Sequence, residues 1–143
     1  MTYKTIKPTS AFWIISVLAL LWNIMGVAAY LGQAYMTEEV LILLPQGEQD
    51  YHNNVPAWVT GIFAIAVFAG AFGSIGLLMQ KKWANILFII SLIAVITQFI
   101  YNFFIQTDVE ITGVKMIWPL VVLIIAILLV FLSRKATKEG WIS

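Results

Sequence analysis

Residues 56–106 read PAWVTGIFAIAVFAGAFGSIGLLMQKKWANILFIISLIAVITQFIYNFFIQ. Two apolar runs, Pro56 to Met79 and Trp83 to Gln106, are parted only by Gln80, Lys81 and Lys82, and neither holds an ionisable Asp, Glu, Lys, Arg or His. Each run would be ~36 Å long as a helix, against a bilayer hydrocarbon core of roughly 30 Å. In hydrocarbon every backbone N–H and C=O must be satisfied within the segment, so each run is read as a spanning helix. A connection this short makes the two helices antiparallel neighbours.

Outward from this hairpin, two further runs complete the set. Ala11 to Met36 carries no charge, and Ile117 to Ser133 is almost wholly aliphatic. The β-branched residues Val121, Val122, Ile124, Ile125 and Ile127 do not make the last run a strand, because an open sheet edge in lipid would stay unpaired. Of the 143 residues, 62% are hydrophobic and only 10% charged, whereas a soluble domain carries about 25% charged residues. The expected fold is an all-α membrane protein, a single bundle of four transmembrane helices over about 11–36, 56–79, 83–106 and 117–133. Lys4 and Lys7 before the first run imitate a signal peptide, but an h-region is usually about 7–15 residues and this run is far longer. It is read as a retained span.

The charges give an orientation. Lys4, Lys7, Lys81, Lys82, Arg134, Lys135 and Lys138, seven of eight basic residues, fall on one side of the four runs; Lys115 is the exception. Glu38, Glu39, Glu48, Asp50, Asp108 and Glu110, six of seven acids, fall on the other; Glu139 is the exception. The positive-inside rule then puts both termini and the Lys81-Lys82 turn in the cytoplasm of a bacterial cell, with the chain multi-pass in the inner membrane. Trp13, Trp83 and Trp141 sit near the inner boundary and Tyr35, Tyr51, Trp58 and Trp118 near the outer one, as interfacial anchors do. With a net charge of +1, nothing suggests nucleic acid as a partner; the first partner expected is the lipid bilayer.

The segment 37–55 is the longest outside the spans. Thr37 suits an N-cap with Glu38 and Glu39 in the first turn. Val40 to Leu44 would then form a short amphipathic helix on the outer face, stopped by Pro45. Gln46-Gly47 reads as a turn, Asp50 to Asn54 as a polar stretch, and Pro56 as the first position of the second span. His52, the only histidine, lies close to Glu48 and Asp50. With no second His and no Cys, a metal set cannot be completed, and a solvated acidic loop is the simpler reading. No cofactor is expected and the chain is not read as an enzyme.

Inside the spans the polar groups are neutral. Asn23, Tyr30 and Gln33 lie on the first span, with Asn23 and Tyr30 seven apart on one face and Gly26 between them. Gln98 and Asn102 lie four apart on the third, with Thr97 and Tyr101 alongside. An amide in lipid is costly unless paired, so these faces should point into the bundle. They would either bond helix to helix, at about 0.6 kcal/mol each, or line an outward cavity for a small neutral polar solute. The candidate ligand-binding set is Asn23, Tyr30, Gln33, Gln98, Tyr101 and Asn102. Ala66, Gly70 and Ser74 recur every four residues in the second span and suit close helix packing, within the chain or against another.

Three stretches carry a resemblance: AFWIISVLALLWNIMGVAAYLGQAYM (11–36), NNVPAWVTGIFAIAVFAGAFGSIGLLMQKKWA (53–84) and YNFF (101–104). Over most of residues 8–106 the chain resembles a small bacterial four-helix membrane family whose members are loosely labelled sugar transporters, and its plan is similar to that of DoxX-like proteins. The label implies transport of a sugar-like solute; no binding residue is carried over from it. The Pro-Gln pair that three-helix sugar transporters keep within a span is missing, since Pro45-Gln46 lies in a loop. Two functions are therefore expected. One is transport or binding of a small neutral solute, with a homodimer supplying the second half of an alternating-access unit. The other is a non-catalytic accessory or scaffold subunit that meets an unidentified membrane partner.

Overall fold

A computed structural model describes residues 7–110 and 112–143; Lys4, counted in the charge pattern above, lies outside them. The regular structure described is all helical. It comprises α1 (Ser10–Ala34), α2 (Glu38–Leu41), α3 (Gln46–Asn54), α4 (Ala57–Leu78), α5 (Ala84–Ile100, prolonged by a π-helical turn Tyr101–Ile105) and α6 (Ile117–Lys138, preceded by a 3₁₀ turn Gly113–Met116). Four segments, Ser10–Ala34, Ala57–Leu78, Ala84–Ile105 and Gly113–Lys138, are long and apolar enough to cross a membrane.

The ends of these helices are chemically marked. Thr9 caps α1, its hydroxyl accepting from the Phe12 N–H at 3.2 Å. At the end of α4, Gln80 takes the left-handed conformation (φ 59°), and the Lys81 N–H returns to the Gly76 carbonyl at 2.8 Å. Gly140 (φ 77°) closes α6 in the same way, with the Trp141 N–H on the Ala136 carbonyl at 2.8 Å. Bonds of this type occupy carbonyls that the helix itself leaves unpaired. The two caps are tied together by Ser143 N–H to Gln80 O (3.0 Å), Lys82 N–H to Ser143 O (3.2 Å) and the Gln80 side-chain amide to Trp141 O (3.1 Å). The start of α1, the α4–α5 turn and the end of α6 thus share one end of the bundle, called here the basic end. The acids of α2, α3 and the α5–α6 loop lie at the other.

In space the spans follow the order α1, α4, α5, α6: α1 packs on α4, α4 on α5 and α5 on α6, while α1 and α6 scarcely touch. The interior is built from small residues and the large apolar ones face outward, as expected when lipid is the solvent. Ala66, Gly70 and Ser74 are all buried within the chain. Gly26 meets Val67 across the α1–α4 contact, and a Cβ on Gly70 would overlap the Asn23 amide oxygen. The Asn23 Nδ2 donates to Ala19 O at 2.8 Å and to Ser74 Oγ at 3.3 Å. On the α5 side, Gly73 lies against the Phe88 ring, and Ser91 Oγ donates to Ala66 O at 2.7 Å. The basic end is sealed by Phe12, Leu77, Ala84, Phe88, Leu129, Ala136 and Ile142.

Three boundaries differ from the sequence reading. Gln46-Gly47 is not a turn but the opening of α3. Pro45 stands as its N-cap, and the helix is held from outside by tertiary bonds that local sequence does not reveal. Pro56 is the cap of α4 and not its first residue. Helix α6 runs on past Ser133 to Lys138, because Ala136 is buried in the basic-end core and the long cationic side chains beside it stay exposed. In α2, Thr37 caps as expected, accepting from Val40 N–H at 3.4 Å, but the helix is a single turn that leaves Ile42 and Leu43 exposed.

Candidate functional site

Because α1 and α6 meet at few points, the arc of four spans encloses a cavity of about 440 Å³. That is within the roughly 300–1,000 Å³ typical of small-molecule sites. Its α1 wall is Trp22, Asn23, Met25, Gly26, Ala29 and Gln33; its α6 wall is Trp118, Pro119, Val122, Ile125, Ala126 and Leu129. Both sets recur at helical spacing, so one stripe of each helix faces the gap. Phe63, Ala66 and Val67 of α4 and Phe88, Ser91, Val95, Gln98, Phe99 and Asn102 of α5 form the back. Tyr51 and Gln106 stand at the acidic-end mouth. The rings of Trp22 and Trp118 meet across the gap, with centroids 5.3 Å apart.

The mouth is positioned by α3. Tyr51 Oη donates to Asn102 Oδ1 at 2.7 Å, and Tyr51 and Trp58 both set their rings edge-on to Tyr101. Asn54 Nδ2 reaches Asp108 Oδ1 at 3.2 Å, and Gly47 comes so close to the Asp108 carbonyl that a Cβ would stand 2.9 Å from it. Burial first, and Tyr101 beside it second, push the Tyr51 phenol up to about 12, so it remains a neutral hydrogen-bond donor across physiological pH. The π turn ends α5 with Gln106 N–H on Tyr101 O at 3.0 Å. It turns Gln106 back so that its amide bonds Val109 N–H (2.9 Å), Val109 O (2.6 Å) and Asn102 O (2.9 Å). Gln106 is therefore spent on holding the mouth.

Other amides are not spent. Among the described residues, neither Gln33 nor Gln98 has a side-chain hydrogen bond to protein, and the Asn102 Nδ2 has none either. The amides of Asn23, Gln33, Gln98 and Asn102 are not bonded to one another. The Gln33, Gln98 and Asn102 amides are half-buried and reach the cavity space, where water or a ligand can take up the capacity that the protein leaves over. No Asp, Glu, Lys, Arg or His is among the cavity's lining residues.

Of the six residues singled out from sequence, Asn23, Gln33, Gln98 and Asn102 line the cavity. Tyr30 lies outside it, stacked on Phe63 with centroids 5.8 Å apart and edge-on to Phe68. Tyr101 is buried behind it in the aromatic cluster with Tyr51 and Trp58. The sequence reading missed Tyr51, Trp22 and Trp118. The aromatic belt rule accounts for Tyr51 and Trp118 as anchors and gives no reason to bring them to a site. His52 sits in the last turn of α3 with Glu48 and Asp50 on the same helix, and among the described residues no three acidic or histidine side chains converge as a metal set. Comparison of the chain with models of known families, with curated proteins and with solved structures finds no match.

Proposed function

We propose that this is a multi-pass protein of the bacterial inner membrane that binds, and passes across the bilayer, a small uncharged ligand bearing hydroxyl or amide groups. The observation that carries the reading is the cavity whose Gln33, Gln98 and Asn102 amides have hydrogen-bonding capacity left over. An uncharged cavity with aromatic and amide walls disfavours ions, since a buried charge needs a partner. It suits neutral groups held by hydrogen bonds and ring faces. The seal at the basic end and the polar mouth at the acidic end fit a state open to one side only. With the basic end in the cytoplasm, that side is the outside, and α2 lies in the outer headgroup region with Ile42 and Leu43 in lipid. The accessory-subunit reading would use the small-residue face of α4, which α1 and α5 already cover, or the outer loop, where Ile42 and Leu43 are exposed.

The test is ligand-dependent thermal stability of the purified protein across neutral polyols, sugars and their charged analogues. Neutral compounds are expected to raise Tm and charged analogues to leave it unchanged. Gln98→Ala and Asn102→Ala should each weaken the effect about 5- to 10-fold, the value of one hydrogen bond. An equal response in these variants contradicts the proposal.

A further inference from the structure

The cavity is more polar at its acidic end than below it, and this narrows the ligand class. From Asn102 to Phe88 it follows α5 for fourteen residues, ~21 Å. Three of the groups with spare hydrogen-bonding capacity, Gln33, Gln98 and Asn102, stand toward the acidic-end mouth; deeper in, the Asn23 amide oxygen and the Trp22 indole N–H are the groups left over. Below Gln98 the polar liners are Ser91, whose hydroxyl is already given to Ala66 O, and Asn23, whose amide nitrogen is given to Ala19 O and Ser74 Oγ and whose oxygen is turned against Gly70. The remaining walls there are aliphatic or aromatic: Val95, Val122, Ile125, Ala126, Leu129 and Phe88. A ligand no larger than the polar end would leave this lower part as an apolar void, and unfilled apolar space forfeits dispersion contacts.

The cavity also opens sideways. Met25, at the middle of α1, lines it and is 53% exposed; Trp118 on the facing helix lines it and is 60% exposed. Ala29, one turn above Met25, is exposed as well. The middle of α1 lies at the depth of the hydrocarbon in any membrane that α1 spans; the Trp22 and Trp118 rings meet across this lip, so entry here requires the two rings to part. A ligand with an apolar tail could enter here from the bilayer without first passing through water.

We infer that the ligand is a neutral single-chain amphiphile. Its hydroxylated head is held by Gln33, Gln98 and Asn102, and its hydrocarbon tail lies in the channel between α1 and α6 down to Phe88 and Leu129. This rests on the reading of the cavity as a site for an uncharged ligand and adds the tail and the lateral route.

The probe is a monoacylglycerol brominated midway along its chain, added to the full protein in nanodiscs, with tryptophan fluorescence as the readout. Trp22 and Trp118 both line the cavity, so bromine in the tail should quench them saturably, Trp22→Phe should reduce that component and Trp22→Phe with Trp118→Phe should remove it. Ala126→Phe, which fills the tail channel, should weaken binding at least 10-fold. Gln98→Leu, close in shape and mild for folding, should weaken it about 5- to 10-fold. A brominated fatty acid, charged at pH 8, should compete at least 10-fold less well. Non-saturable quenching, or quenching unchanged in both Ala126→Phe and Gln98→Leu, overturns the inference. If glycerol or glucose shifts Tm and the amphiphile neither binds nor competes, the tail is refuted while the neutral-ligand site stands. If neither class has any effect, both fall.

Discussion

At Gly70 the bundle has no room for a methyl group. The Asn23 amide oxygen occupies the space a Cβ would take, while its nitrogen bridges α1 to Ser74. Gly70→Ala should destabilise the protein by about 1–3 kcal/mol, the usual cost of overpacking. In an Asn23→Ala background the same change should cost far less. Thermal denaturation in detergent of the four proteins of this cycle checks the coupling, and strictly additive effects would contradict it. Tyr51 gives a second test at this scale. Its phenol is raised above the ordinary tyrosine value, so the folded state favours the neutral form. Its contribution is complete below pH ~10 and lost as pH rises through about 12. Tyr51→Phe should lower Tm at neutral pH, because Asn102 loses its donor, and should flatten the decline of Tm between pH 10 and 12.

At the scale of elements, the terminal turn of α5 decides where the mouth lies. A π turn holds one residue more than the α-helical ladder requires, and here it returns Gln106 to Val109 and Asn102. Phe104, 78% exposed, can be removed with little loss of packing. Deleting it should restore an α-helical end, shift Gln106 out of register and release the α5–α6 loop. The expected signature is a protein that still folds but whose Tyr51 phenol titrates closer to 10. At the basic end, Gly140→Ala forces a Cβ into the left-handed region and should cost about 1–2 kcal/mol, read as a lower Tm. How far such elements can be read beforehand depends on where their stabilisation comes from. The spans were legible because hydropathy and backbone satisfaction act along the chain itself. Helix α3 was not. Gln46-Gly47 carries turn chemistry, and what overrides it is remote: the Asp108 carbonyl against Gly47, Asp108 on Asn54 and Asn102 on Tyr51.

At the scale of the whole molecule, an arc of four helices leaves one pair of neighbours apart. The amides of α1 and α5 were legible as a polar set facing inward. Whether they would bond to each other was not, because that depends on the gap between α1 and α6, and no periodicity encodes a gap. For the same reason Tyr30 shares a face with Asn23 in sequence yet ends against Phe63, outside the cavity. The chain has no cysteine, so single cysteines can be placed on a silent background. The most direct test of the central claim is labelling of Gln98→Cys by a membrane-impermeant thiol reagent in sealed vesicles of known sidedness. The cavity predicts reaction from the acidic-end side only, slowed by bound ligand. Ile96→Cys on the outward face and Leu77→Cys in the basic-end core should stay inert, and Lys82→Cys should react from the opposite side. A Gln98→Cys protein as inert as Leu77→Cys, or one labelled only from the basic end, would contradict it.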